Sequence, residues 1–339
     1  MKFSKKMLAG ILLCTLIAIP AWYLGKQYPI IGGPVFGILF GMLLAPFLPK
    51  LKIPSAELGI KYTSKKILQY AIILLGFEMN LFSIIKVGGQ SLLVMLFTLT
   101  ASFVTAYAVG RLLKIDKDTT ILIGVGTSIC GGSAIAATAP VIEASDEDVA
   151  HAISTIFLFN IIAVFIFPWI GRALGMSDLG FGMWAGTAIN DTSSVVAAAA
   201  SWSLAAGNNT ALTFATIVKL TRTLMIVPIT LVLAIHTSRQ KKRQQTAGVN
   251  HNFNFKSVFP WFVLGFIATA IIGTFTGIPA KPLGQLGKFF IVMAMSAIGL
   301  NTHLKKLIKS GIRPLLLGLC CWFVVAVISL IVQTAMNFV

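Results

Sequence analysis

Apolar residues recur along this chain in runs of about 20, the length that crosses a ~30 Å hydrocarbon core as a helix. The runs lie at 7–24, 31–48, 67–86, 90–110, 119–143, 150–171, 178–205, 209–235, 257–276, 285–303 and 313–336, with short polar stretches between them. Eleven hydrophobic segments and no alternating strand pattern predict an all-α polytopic membrane protein. The first run follows the basic stretch Met1 to Lys6 but lacks a small-x-small cleavage site. It is therefore expected to remain as an extra transmembrane helix within residues 1–30 rather than leave as a signal peptide.

Composition sharpens this picture. Hydrophobic residues fill 57% of the 339 positions and charged residues only 11%, against about 25% charged in soluble chains. A soluble enzyme and a disordered chain are excluded. Lys and Arg outnumber Asp and Glu by 27 to 10, a balance that could fit nucleic acid, but in a membrane protein it marks cytoplasmic loops. Most basic residues fall on one side if the N-terminus is cytoplasmic: Lys2, Lys5 and Lys6, the 49–66 stretch, Arg111 to Lys117, the polar linker 237–256 and the 304–313 loop. Lys26, Lys86, Lys281 and Lys288 fall opposite. The expected orientation is N-terminus cytoplasmic and C-terminus extracytoplasmic, with the lipid bilayer as partner and no nucleic acid. Cys14, Cys130, Cys320 and Cys321 all lie in apolar segments without zinc spacing, so neither disulfide nor metal is expected.

The sequence repeats itself twice. Residues 75–88 (LGFEMNLFSIIKVG) align without a gap on 298–311 (IGLNTHLKKLIKSG), pairing Gly76 with Gly299, Glu78 with Asn301 and Gly88 with Gly311. Residues 126–139 (GTSICGGSAIAATA) align on 186–199 (GTAINDTSSVVAAA), pairing Thr127 with Thr187, Ile129 with Ile189 and Ser133 with Ser193. The first pair runs in opposite directions through the membrane, which points to inverted repeats over 31–171 and 178–339. Interrupted segments in two related halves are the pointer to a transporter site. The segments 119–143 and 178–205 are accordingly read as broken helices, either crossing fully or entering as re-entrant hairpins from opposite faces. The count of basic residues favours full crossing by one residue, Arg172.

The candidate substrate site takes Ser128, Cys130, Gly131, Gly132 and Ser133 from the first broken segment, and Asn190, Asp191, Thr192, Ser193 and Ser194 from the second. Cys130 reads as a small packing residue within it. A helix that restarts after a break presents free N–H groups and a partial positive charge to an anion. Close packing explains the glycines, but Asn190 and Asp191 at mid-depth are costly and point to function. Lys219 and Arg222 share one face of the 209–235 helix; Asp191 could pair with one cation, and Arg222, with its planar fork, is the preferred contact for a substrate anion. Glu78, Asp191 and Asn301 are candidate coupling residues for a proton or sodium ion, with no other cofactor. Asn80, His151 and His303 read as helix-end residues, and Asn160 as an interhelical hydrogen-bonding group.

The strings Ile129-Cys130-Gly131-Gly132-Ser133-Ala134-Ile135-Ala136-Ala137, Gly186-x-x-Ile189-Asn190-Asp191-Thr192, Lys219-x-x-Arg222 with Pro228, and Gly299-Leu300-Asn301 resemble those of the bacterial family labelled sulfate exporters. That family lies in the bile acid/arsenite/riboflavin transporter superfamily, and the likeness runs from about residue 30 to the C-terminus. The family often carries His at the position of Asn190 and Gln at that of Ser194. The resemblance implies a bacterial inner-membrane, elevator-type secondary transporter, a core moving against a scaffold by alternating access. It also implies export of a sulfate- or sulfonate-like anion and, by analogy with elevator scaffolds, a homodimer. Cation-coupled uptake of an organic acid uses the same site. A passive anion channel would call for rings of like charge. An intramembrane hydrolase would need Ser133 with His151 or His303, and no G-x-S-x-G elbow accompanies them. No Walker A motif is present, and the chain is not expected to be an enzyme.

Overall fold

The computed structural model describes residues 5–51, 56–243, 260–276, 278–302 and 311–337. His303, most of the 304–313 loop and the greater part of the 237–256 linker lie outside the described residues. The helices are α1 (Lys5–Gln27), α2 (Gly33–Leu44), α3 (Ala56–Tyr62), α4 (Leu68–Gly76), α5 (Leu81–Leu112), α6 (Lys117–Ser128), α7 (Gly132–Ile142), α8 (Asp146–Ala173), α9 (Asp178–Ala188), α10 (Thr192–Ala206), α11 (Thr210–Leu224), α12 (Ile226–Arg243), α13 (Trp261–Phe275), α14 (Ala280–Asn301) and α15 (Ile312–Ala335). Among the described residues no strand occurs, and six helices are long and apolar enough to cross a membrane.

Three boundaries differ from the hydrophobic parse, the first being that the 67–86 run is already helical from Ala56. The expected break near 86–90 is absent: α5 runs unbroken through Lys86, Gly88 and Gly89, and the chain turns instead at 77–80. Asn80 dictates this start, because its side chain accepts from the Phe82 N–H at 2.8 Å and so caps α5. The 209–235 segment, expected to be continuous, ends as α11 at Leu224 and restarts as α12 at Ile226. Pro228 has no N–H to offer the Leu224 carbonyl four residues earlier, so the ladder stops there. Arg222 therefore stands in the last turn of a helix rather than mid-helix.

Both broken segments double back. In the first, a Cβ added to Gly126 of α6 would lie 2.9 Å from the Ile135 side chain of α7. Leu122, Ile123, Ile135 and Ala139 share one apolar cluster across the two arms. In the second, Trp202 near the end of α10 stacks on Phe181 near the start of α9, with centroids 4.0 Å apart. The Trp202 indole N–H also donates to Asp178 Oδ1 at 2.7 Å. Of the two alternatives that the sequence leaves open, both segments take the helical hairpin. Their outer ends are joined by α8, 28 residues long, hence about 42 Å at helical rise, so they enter from opposite ends of that helix. Arg172, the residue that favoured crossing, lies over the Trp202 ring at 5.5 Å at the outer end of the second hairpin. A single cation engaged in stacking does not report topology.

The surrounding helices repeat their packing around each hairpin. Helix α5 packs on α6 as α15 packs on α9; α8 contacts α6 and α10, while α11 contacts α9 and α12 contacts α7. A separate group, α1 to α4 with α13 and α14, packs chiefly within itself and meets α10 through α2 and α14. Close backbone approach marks this group: an added Cβ would lie 2.7 Å from Gly59 Cα at Gly10 and 2.9 Å from the Gly299 carbonyl carbon at Gly41. Small residues let helices meet where lipid supplies no hydrophobic drive between them.

Candidate functional site

The hairpin tips are built from residues that cannot continue a helix. Gly131 takes φ 68° and ψ −132°, a region glycine alone enters readily. In that conformation its N–H closes α6 on the Gly126 carbonyl at 2.9 Å, and its own carbonyl starts α7. At the repeat-equivalent position, Asp191 is extended and its carboxylate accepts the Ser193 N–H at 3.0 Å, capping α10. It also accepts from the Ser193 hydroxyl. The tips touch: a Cβ on Gly131 would lie 3.3 Å from Asp191 Cβ.

Lys219 and Arg222 join the tips from α11, and both are fully buried. Lys219 Nζ donates to the Ile129 and Ile189 carbonyls, each at 2.9 Å. Arg222 Nε donates to the Ser128 carbonyl at 2.6 Å, Nη2 to the Thr127 carbonyl and Nη1 to the Thr187 carbonyl. Ile129 and Ile189, like Thr127 and Thr187, are the positions that the internal repeat pairs. The last carbonyls of α6 and α9 have no partner within their helices and carry the negative end of the dipole. One pair of cations therefore terminates two related helices at once.

This changes the expected role of both cations. The Arg222 guanidinium, the preferred contact for a substrate anion, donates to three backbone carbonyls, and no ion pair of Asp191 with Lys219 or Arg222 forms among the described residues. Carbonyls at a helix end are fixed and adjacent, so they claim the donors first. Asp191 is likewise engaged as a cap. Asn160 of α8 is a further tip residue: its Oδ1 accepts from the N–H groups of Asn190 and Asp191 at 3.2 and 3.1 Å. An interhelical bond was expected of it, but not that its target is the tip backbone, which no local pattern reveals.

The remaining candidates divide by exposure. Ser128, Cys130, Thr192, Ser193 and Ser194 are buried, and Ser128 Oγ is turned back to the Val125 carbonyl. Gly132 and Asp191 are half-buried and Ser133 is exposed, so access is from their side. A Cβ at Gly132 would meet nothing within 4 Å, and α7 has no side-chain cap. Asn190 is completely buried, yet neither its amide nitrogen nor its oxygen has a hydrogen-bond partner. Glu78 and Asn301 are not brought together. Glu78 lies against Gly284 near the start of α14, whereas Asn301 ends that helix about 25 Å further along. Glu78 pairs with Lys288 at 3.5 Å and accepts from Asn209 Nδ2 at 3.4 Å, away from the tips. His151 faces Glu147 one turn earlier on α8 at 4.0 Å.

The Gly131 geometry carries a direct prediction. Gly131→Ala should cost about 1–3 kcal/mol from backbone strain, seen as a lower melting temperature in detergent. Gly132→Ala should be tolerated, and equal losses at the two positions would contradict the assignment.

An all-helical, multi-span chain with a polar crossing of two hairpins at its centre is a polytopic membrane protein. The comparison with known proteins agrees, and the chain belongs to the family described as conserved hypothetical protein 698, whose model matches residues 9–318. It is 50% identical to a UPF0324 membrane protein of Fusobacterium nucleatum subsp. nucleatum over 96% of this chain and 97% of the relative. A UPF0324 membrane protein of Streptococcus agalactiae serotype V is 49% identical over 98% of both chains. One of Streptococcus mutans serotype c matches at 49% over the same shares.

Proposed function

We propose that this chain is a secondary transporter of small sulfate- or sulfonate-like anions that works by alternating access around the hairpin tips. The observation that carries this reading is the meeting of two opposed hairpins at a polar crossing, where a Cβ on Gly131 would lie 3.3 Å from Asp191 Cβ. Non-helical backbone at membrane depth persists only where protein or a cavity shields it, and paired broken helices are the usual frame of a transporter site. Charge supports an anion. The negative ends of α6 and α9 offset the positive ends of α7 and α10, each about half a charge. Two basic side chains, Lys219 and Arg222, then stand against the one acidic side chain, Asp191. The uncapped first turn of α7, at Gly132 and Ser133, can donate to the anion, and the unpartnered Asn190 amide offers a further donor. The α10 start is already filled by Asp191, so the two tips are not equivalent.

Within this reading the group α1 to α4, α13 and α14 is the scaffold and the hairpin group moves. Lysine and arginine placement supports a cytoplasmic N-terminus. Export, rather than uptake, rests on the resemblance to sulfate exporters. The test is counterflow in proteoliposomes with labelled sulfate, sulfite, thiosulfate and methanesulfonate. A saturable flux accelerated by anion on the far side is expected. Linear flux without such acceleration would make the protein a channel, and no flux for any anion in functional vesicles would overturn the reading.

A further inference from the structure

A second cavity, of about 320 Å³, lies away from the tips, between the C-terminal end of α1, the start of α2, α14 and the outer end of the second hairpin. Its wall is mainly apolar, with Trp22, Leu204, Leu212 and Val292, while Lys26, Lys288, Asn208 and Asn209 converge on it. Among the described residues no acidic side chain lines it. The two lysines are not equivalent. Glu78 sits 3.5 Å from Lys288 and offsets its charge. Lys26 Nζ lies 5.1 Å from the centroid of the Trp22 ring and pairs with no carboxylate among the described residues. The other charges nearby are engaged at the rim. Asp178 accepts from Asn208 Nδ2 and from the Trp202 indole, both at 2.7 Å, and Arg172 lies over the Trp202 ring. One cation is left over at the mouth of an apolar chamber.

We propose that this cavity binds a small organic monoanion with a compact apolar body, an aryl or short alkyl sulfonate or carboxylate. The anionic end would meet Lys26, since the side-chain amides of Asn208 and Asn209 already donate to Asp178 and Glu78, and the body would replace water against Trp22, Leu204 and Val292. Binding pockets of this kind combine an apolar wall with a few convergent polar groups, and the volume stands at the low end of their range of about 300–1,000 Å³. Inorganic sulfate would leave the apolar wall wet, and a two-chain phospholipid is far too large to be enclosed. Because the cavity is walled by α1, α2 and α14 on one side and by α10 on the other, its occupant touches both helix groups. The site does not depend on whether the chain transports anions.

The experiment is a titration of purified protein, in a nonionic detergent, with 4-nitrobenzenesulfonate, followed by calorimetry and by quenching of tryptophan fluorescence. Saturable binding is expected, weakened at least tenfold by Lys26→Gln and by high salt, and retained in Lys26→Arg. The neutral 4-nitrobenzyl alcohol should bind at least tenfold more weakly, and Trp22→Phe should remove most of the quenching. Lys26 is exposed, so Lys26→Gln should melt like the parent. Unchanged affinity in that variant, or equal binding of the neutral analogue, would overturn the proposal. The binding that Lys26→Gln weakens should persist in Asp191→Asn; its loss there would place the ligand at the tips and overturn the proposal as well. Displacement by phosphatidylglycerol in the micelle would assign the cavity to lipid instead.

Discussion

Arg222→Met is expected to unfold the tips rather than simply weaken a ligand contact. The guanidinium donates to three carbonyls that are buried at the ends of α6 and α9, and methionine keeps the volume but donates to none. A buried polar group left without its partner costs about 1–3 kcal/mol, so three of them amount to a loss on the order of 5 kcal/mol, less whatever water can enter to relieve them. That is comparable with the whole stability of many domains. Thermal melting and the yield of monodisperse protein measure it. Arg222→Lys should recover part of the loss, since an ammonium reaches fewer carbonyls than the planar fork. If Arg222 were chiefly a substrate contact, Arg222→Met would melt with the parent and lose only anion binding. That outcome would refute the helix-terminating role.

Asp191→Asn separates the two transport readings. Asparagine can still accept from the Ser193 N–H, so the cap on α10 and the fold should survive. With Asp191 ionised, the substitution removes one negative charge from the crossing. At an effective dielectric of ~20 and ~8 Å, one unit charge is worth about 2 kcal/mol. Anion affinity should therefore rise, by up to roughly thirtyfold, and most for divalent sulfate. A thermal-shift titration with sulfate and methanesulfonate reads this directly. If Asp191 instead carries a coupling proton or sodium ion, as cation-coupled uptake requires, the variant will lose its response to sodium or pH and gain no anion affinity. A gain in affinity sinks the symport reading, and a loss of cation response without gain sinks the anion-site reading.

Much of this was open to inspection before any coordinates. Hydrophobic run lengths located nearly every helix, because a span in lipid must satisfy its own backbone and so needs a long apolar stretch. The gapless match of 126–139 to 186–199 located both hairpin tips, because glycine and short polar residues are what a chain must carry where a helix stops and restarts. The misplaced break at 86–90 shows where this logic fails. Gly88 and Gly89 look like a turn, but Asn80 caps the helix earlier and tertiary packing carries α5 through the pair. Segment 209–235 fails for the opposite reason, since Pro228 interrupts a run that reads as one long span.

Composition and pattern determined the class of the molecule, the rough position of most of its helices, the two interrupted segments and the residue types at their tips. These follow from local chemistry: apolar length, missing N–H groups, glycine at positive φ. Tertiary structure alone decided that the segments fold back as hairpins, that Asp191 and Asn160 serve the tip backbone, and that Lys219 and Arg222 terminate two helices. Those outcomes depend on which groups end up adjacent in a site without water. There the nearest fixed carbonyl outcompetes any partner that spacing along the chain can propose.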